Sequence, residues 1–192
     1  MTSVAVVILA GGEGLRIGGE KPLRRLGGMR LIDRALRLAR GWSDAIAIAV
    51  RHCAQTPSVD AELIEDDEIA GPLGGLAAGL RFARSEGRAF LLTIPADMPF
   101  LPPDLLHRLS AAIGSNCCAL ASSGGHLHPV CGLWRFSALD RLDGYIAQGG
   151  QSLKGFAALA GVVEVEWPAN SADPFFNVNS ADDLAVAESR LP

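Results

Sequence analysis

Long apolar runs are missing from this chain. No stretch approaches the roughly 20 residues that a membrane helix needs, which argues against a spanning segment. The N-terminal run Val4–Ala10 has neither a basic flank nor a cleavage site and does not read as a signal peptide. Positive charge is not in excess either. With a formal net charge of -4, no whole-protein field recruits nucleic acid, and any anion site must be local. Cysteine is scarce: Cys53, Cys117, Cys118 and Cys131 form no C-x-x-C pair, and the adjacent two are poor disulfide partners. They read as small buried hydrophobes of a reduced compartment. Repeats, linkers and low-complexity segments are also absent. These absences predict a single cytoplasmic domain over residues 1–192 with no nucleic-acid or membrane partner.

What is present is a globular composition, 49% hydrophobic and 20% charged, long enough to close a sizeable core. Val4–Ala10 is a continuous β-branched and aliphatic run, as expected of a strand buried on both faces of a parallel sheet. Leu31–Leu38 carries apolar residues at helical spacing and Gly41 stops it. Ala45–Val50 and Ala61–Glu65 read as strands. Gly71-Pro72 opens a helix over Leu73–Arg84, whose glycines at 74, 75 and 79 allow close packing. Ala89–Ile94 is another buried strand ended by Pro95. This βαβ-βαβ order predicts a Rossmann-like three-layer α/β fold with a mostly parallel sheet and right-handed crossovers. Further on, Pro102-Pro103 starts a helix through Ala112. Cys117–Ala121 and Pro129–Trp134 read as strands, Ser137–Gln148 and Ser152–Leu159 as helices, and Val162–Glu166 as short and alternating. Ser180-Ala181-Asp182-Asp183 resembles a capping box for a last helix. Trp42, Trp134 and Trp167 read as packing residues.

The first strand runs into a loop rich in glycine that also holds Arg16 and Lys21. Two common phosphate loops fail on spacing. Gly14 to Gly19 fits the nucleoside-triphosphatase loop, but Glu20 precedes Lys21 and Pro22 follows it. Gly12, Gly14 and Gly18 overshoot the dinucleotide fingerprint by one residue. Glycines nevertheless let backbone N–H groups face an anion, and a fixed arginine and lysine add charge where a triphosphate carries most of its own. The alternative is a surface loop with ordinary solvated charges.

Asp97, in Thr93-Ile94-Pro95-Ala96-Asp97-Met98-Pro99, lies just past a buried strand, where α/β sheets bind ligands. Read alone, it is equally a turn aspartate between prolines. Read with the loop, it is a candidate to hold Mg²⁺ across a triphosphate, because hard oxygen ligands suit that ion. His126 and His128 alternate, so in a strand both face one side. That geometry suits a metal, yet no other ligand cluster lies near in sequence.

Leu9-Ala10-Gly11-Gly12-x-x-x-Arg16-Ile17-Gly18-Gly19-Glu20-Lys21 resembles the nucleotidyltransferase signature L-A-[AG]-G-x-x-x-R-[ML]-G-x-[DP]-K, with mild departures at Ile17 and Glu20. Pro95-Ala96-Asp97-Met98-Pro99 resembles the P-[CAG]-D-[MT]-P element of the molybdenum cofactor nucleotidyltransferases. Glu65-Asp66 with Gly71-Pro72-Leu73-Gly74-Gly75, then His128-Pro129, then Phe176-Asn177-Val178-Asn179-Ser180 followed by Asp183-Leu184, resemble three further family segments in order. The L-A-G-G form of the loop and the N-V-N ending point to the molybdenum cofactor guanylyltransferase family rather than its cytidylyl relative.

The resemblance implies transfer of GMP from GTP to molybdenum-molybdopterin with release of pyrophosphate. Leu9, Ala10, Gly11, Gly12, Lys21, Asp66 and Asp97 would bind the nucleotide, and Arg16, Lys21 and Asp97 would act in catalysis, Asp97 with Mg²⁺. His128, Asn177 and Asn179 would contact the acceptor. Asp66 would accept from guanine N1–H and the amino group. The family's second strand often ends near N-x-N-R, whereas this chain has Ile48-Ala49-Val50-Arg51, so one contact to the base is missing. Lys154 stands where relatives often carry basic residues for the pterin side. Transient contacts with cofactor-delivering and cofactor-receiving proteins are also implied. The competing readings are a cytidylyl- or sugar-phosphate nucleotidyltransferase and a non-catalytic nucleotide-binding regulator of the same fold.

Overall fold

A computed structural model describes residues 3–10, 21–51, 59–65, 69, 71–169 and 173–191, with the side chain of Lys21 outside the description. Among these residues, no helix is long and apolar enough to cross a membrane.

The alternation of the buried strands builds the molecule. In β1 (Val4–Leu9), Val4, Val6 and Ile8 enter one core, while Ala5 and Val7 enter the other. A strand covered on both sides has no polar face, so its sequence reads as one apolar run. β4 (Ile46–Val50) divides more sharply. Ile48 and Val50 face the core under α1 (Leu31–Arg40), whereas Ala47 and Ala49 face α2 (Pro72–Ser85). The small residues match the glycines of α2. A Cβ at Gly75 would lie 2.7 Å from Leu9 Cδ2, and one at Gly79 would lie 2.9 Å from Leu91 Cδ2 and 3.2 Å from Val7 Cγ2. Side chains at these positions would push α2 off the sheet, and interiors at crystal-like density do not absorb such volume freely.

Further along lie β5 (Glu62–Glu65), β6 (Phe90–Pro95), β7 (Cys118–Ser123), β8 (His126–Arg135) and β9 (Val162–Trp167). The seven-stranded sheet has the order β5-β4-β1-β6-β8-β7-β9. Only β8 is antiparallel to its neighbours. α1 and α3 (Leu105–Ala112) pack on one face. α2, α4 (Leu139–Ala147) and α5 (Leu153–Ala160) pack on the other. The expected three-layer, mostly parallel sheet is therefore present.

Several boundaries differ from the sequence reading. β7 and β8 are longer than expected and join through Gly124 and Gly125 at φ 55° and 76°, the left-handed pair that a tight hairpin requires. The register jumps from Leu120↔Gly132 to Ala121↔His128, so Pro129, Val130 and Cys131 bulge out of the ladder. A proline inside a strand is accommodated by such a bulge. A second small hairpin, β2 (Arg25–Leu26) with β3 (Met29–Arg30), turns through Gly27 and Gly28 at φ 56° and 78° and was not expected. α3 starts at Leu105 rather than at the prolines, and the segment expected as one helix from Ser137 begins as a 3₁₀ turn over Phe136–Ala138 before α4.

α6 (Ala181–Ser189) is capped as the sequence suggests. Ser180 Oγ accepts from Asp183 N at 3.1 Å, and Asp183 Oδ2 accepts from Ser180 N at 2.9 Å. Trp134 and Trp167 are buried, Trp134 stacking on Phe156 with centroids 5.8 Å apart. Trp42 donates Nε1–H to Pro103 O at 3.0 Å. Cys118 and Cys131 are buried and Cys117 is half-buried, all three as free thiols; Cys53 lies outside the described residues.

Candidate active site

The chain crosses from β1 to β4 and β5 on one side and returns to β6 on the other, so the connections diverge at the carboxyl ends of β1 and β6. Open α/β sheets bind ligands at such a divergence. Leu9 ends β1 and Ala10 follows, tied in by Ala10 N–H to Ala49 O at 2.9 Å. The glycine loop begins there; Gly11, Gly12 and Arg16 lie outside the described residues. Backbone structure resumes with a 3₁₀ turn over Lys21–Leu23, anchored by buried Pro22 and by Leu23 packed on the core. This fixes where Lys21 leaves the main chain.

β6 delivers Asp97. Ala96 N–H donates to Leu9 O at 3.1 Å, holding the turn against the end of β1. The Asp97 carboxylate is half-buried and its Oδ1 is shielded from solvent. Beneath it, Cys131 Sγ–H donates to Met98 Sδ at 3.6 Å. Burial, and then the Asp97 charge, push that thiol well above its ordinary value, so Cys131 is an inert packing group.

The C-terminal segment folds back to the same place. Val178 N–H donates to Asp97 O at 2.9 Å, and Val178 is buried with Leu26, Leu31 and Ala187. Arg190 lies over Phe176 at 4.2 Å. Asn177 and Asn179 therefore flank the backbone that touches Asp97. The two differ in exposure: Asn177 is half-buried, Asn179 is exposed, and Asn179 N–H serves the α6 cap by donating to Asp183 Oδ2 at 2.9 Å. They sit in an irregular segment, not on a strand end.

Because β8 runs antiparallel, its first residues lie at the edge where its neighbours finish. His128 thus comes beside β6, one strand from Asp97. Its Nε2 lies 2.7 Å from Ser123 Oγ, and its ring stacks on Phe175 with centroids 4.6 Å apart. Ser123 Oγ–H donates to Asp173 Oδ1 at 3.0 Å, and Asp173 Oδ1 also accepts Phe175 N–H at 2.9 Å. Sequence reading missed Ser123, Asp173 and Phe175. The one available signal was the Gly124-Gly125 turn, which makes Ser123 and His126 neighbours. His126 is exposed, and among the described residues no group of three His, Cys, Asp or Glu side chains is placed to hold a metal.

Burial holds the His128 pKa below its ordinary value of 6.5. His126 adds to this, while Asp173 and Glu166 oppose it. The folded state therefore favours neutral imidazole, and the unfolded chain takes up the proton first as pH falls. That contribution to stability is fully present above about pH 6.5 and is lost as pH drops through the lower folded-state value. The difference in unfolding temperature between wild type and His128→Gln is expected to shrink from about pH 7.5 to about pH 5.5. A difference that stays constant over this range contradicts a neutral, half-buried ring.

Glu65 ends β5 on the far side of the sheet, and Asp66 lies outside the described residues. β5 and β6 are separated by three strand spacings, about 14 Å. The ends of β5, β1 and β6 and the start of β8, which carries His128, thus follow in order along one edge. Lys154 lies elsewhere, on α5.

A family model described as the MobA-like NTP transferase domain matches residues 6–161. The chain is 39% identical over 187 residues to a molybdenum cofactor guanylyltransferase of Cereibacter sphaeroides, covering 96% of this chain and 95% of that protein. It is 36% identical over 191 residues to one of Rhodobacter capsulatus, covering 98% and 96%. Among solved structures, it is similar to molybdopterin-guanine dinucleotide biosynthesis protein A from Archaeoglobus fulgidus, with a TM-score of 0.77 at 27% identity over 96% of this chain and 97% of that one. The fold also matches 2-C-methyl-D-erythritol 4-phosphate cytidylyltransferase from Thermus thermophilus, with a TM-score of 0.70 at 20% identity over 98% of both chains.

Proposed function

The chain belongs to the MobA-like NTP transferase family, and from that premise we propose that it transfers GMP from GTP to molybdenum-bound molybdopterin. The observation that carries this reading is the position of Asp97. It follows β6 beside the end of β1, at the divergence of the sheet, and the neighbouring strand β8 carries His128.

A terminal phosphate oxygen of the acceptor attacks the α-phosphorus in line. The new P–O bond forms as the bond from the α-phosphorus to the bridging oxygen breaks, and pyrophosphate leaves with that electron pair. A phosphate is already an oxyanion, so no strong general base is needed, and catalysis rests on positioning and charge. Loop N–H groups hold the β- and γ-phosphates. Arg16 and Lys21 neutralise charge that gathers on the leaving group. Asn177 and His128 orient the acceptor.

The donor chemistry at Asp97 fits Mg²⁺, which takes one or two carboxylates and fills its remaining positions with substrate phosphates and water. Asp97 would hold it, and when bound it polarises the α-phosphate. A single protein carboxylate is in keeping with the lack of a larger ligand cluster among the described residues. The same proposal places the enzyme in the cytoplasm, in transient contact with proteins that deliver the molybdopterin and receive the product.

Asp66 is assigned to the guanine N1–H and amino group. A carboxylate built to accept two donors is left unsatisfied by cytosine or adenine. GTP is therefore expected to raise the unfolding temperature more than CTP or ATP at equal concentration, through preferential binding to the folded state. Asp66→Ala is expected to erase that difference. Equal stabilisation by CTP and GTP in the wild type would move the assignment to cytidylyl transfer.

A further inference from the structure

The hydrogen bonds around Ser123 determine more than the location of His128. A serine hydroxyl has one proton, and a carboxylate only accepts. The contact of 3.0 Å from Ser123 Oγ to Asp173 Oδ1 uses that proton, so at the 2.7 Å contact Ser123 Oγ is the acceptor. His128 Nε2 must then carry a hydrogen. The reverse assignment would turn the serine lone pairs toward the Asp173 carboxylate at a hydroxyl that is 2% exposed, and buried polar groups left unsatisfied are costly. Phe175 fixes the ring plane from one side, its interplanar angle to His128 being 13°, and Trp167 braces Phe175 edge-on at 5.5 Å. Among the described residues, no hydrogen-bond donor meets His128 Nδ1.

We propose that Ser123 and Asp173 are positioning residues that hold His128 as its Nε2–H tautomer, leaving the Nδ1 lone pair to accept from an N–H of the acceptor's ring system rather than to bind phosphate. This rests on the reading that His128 lies on the acceptor side. A neutral imidazole with a bare Nδ1 cannot donate to a phosphate oxygen there, whereas ring N–H and amino groups of a pterin are donors. The charged and titratable groups around the ring are Asp173 through Ser123, His126 on β8 and Glu166 on β9, which accepts Ser122 Oγ–H at 2.6 Å. Burial keeps the ring neutral at working pH against the two carboxylates.

The test has two arms on the full chain. Imidazole ¹⁵N–¹H NMR at about pH 7.5, with His128 assigned by His128→Gln, is expected to show a solvent-protected Nε2–H and a bare Nδ1. Ser123→Ala is expected to lose that protection, and Ser123→Thr to restore it. A bare Nε2 or a doubly protonated ring in the wild type overturns the positioning role, whatever the activity. In steady-state kinetics, Ser123→Ala is expected to raise KM for molybdenum-molybdopterin about tenfold, the scale of one lost hydrogen bond, with kcat and KM for GTP unchanged. A protected Nε2–H together with an unmoved acceptor KM overturns the donor recognition, and with it the placement of His128 on the acceptor.

Discussion

Asp97→Asn is expected to lower turnover by about 10³-fold while leaving the unfolding temperature unchanged. The separation of the two effects follows from how the turn is held. Main-chain bonds hold the turn, Ala96 N–H to Leu9 O and Val178 N–H to Asp97 O, together with Met98 in the core. Asparagine keeps these bonds and the shape of the side chain. What asparagine removes is the anionic oxygen that suits a hard cation. The variant is therefore also expected to lose any difference between rates with Mg²⁺ and with chelator. Product formation at the wild-type rate in Asp97→Asn, or a fall in activity matched by a fall in stability, contradicts the assignment.

Lys21→Ala is expected to reduce kcat by roughly 10²-fold or more. Pro22 is buried and Leu23 packs on the core, so the residue before them starts from a fixed point at the carboxyl edge of the sheet. The residues before it in sequence are glycine and glutamate, so the lysine belongs to the polar end of the glycine loop. A charge placed to meet the departing pyrophosphate is worth more in the transition state than in the bound ground state, which lowers kcat when it is lost. Lys21→Arg is expected to recover only part of the rate, because a planar fork replaces a compact ammonium. A raised KM for GTP with unchanged kcat would reduce Lys21 to a ground-state contact.

Much of the parallel half of the sheet was legible because its physics is local. Val4–Ala10 is apolar throughout because both faces are covered, and Ala49 is small where α2 brings Gly75 against it. The place of Asp97 just past a buried strand was legible for a related reason, because Pro95 marks the end of the apolar run. Both missed or truncated hairpins turn on the same feature, paired glycines at 27–28 and 124–125 with positive φ, which is the tight-turn signal. Pro129 obscured the second one, since proline reads as the start of a strand until the bulge is seen. The network of Ser123, His128 and Asp173 was beyond sequence reading. Asp173 is 50 residues from Ser123, and the two meet only because residues 173–180 fold back onto Asp97.

A competition assay offers the enzyme a choice of nucleotide. GTP, CTP and ATP at equal concentration are supplied with Mg²⁺ and molybdenum-loaded molybdopterin, and the product is identified by mass together with the pyrophosphate released. The expected product is the guanine dinucleotide, with one pyrophosphate formed for each product molecule. A cytosine or adenine dinucleotide, or bound GTP without pyrophosphate release, would contradict it.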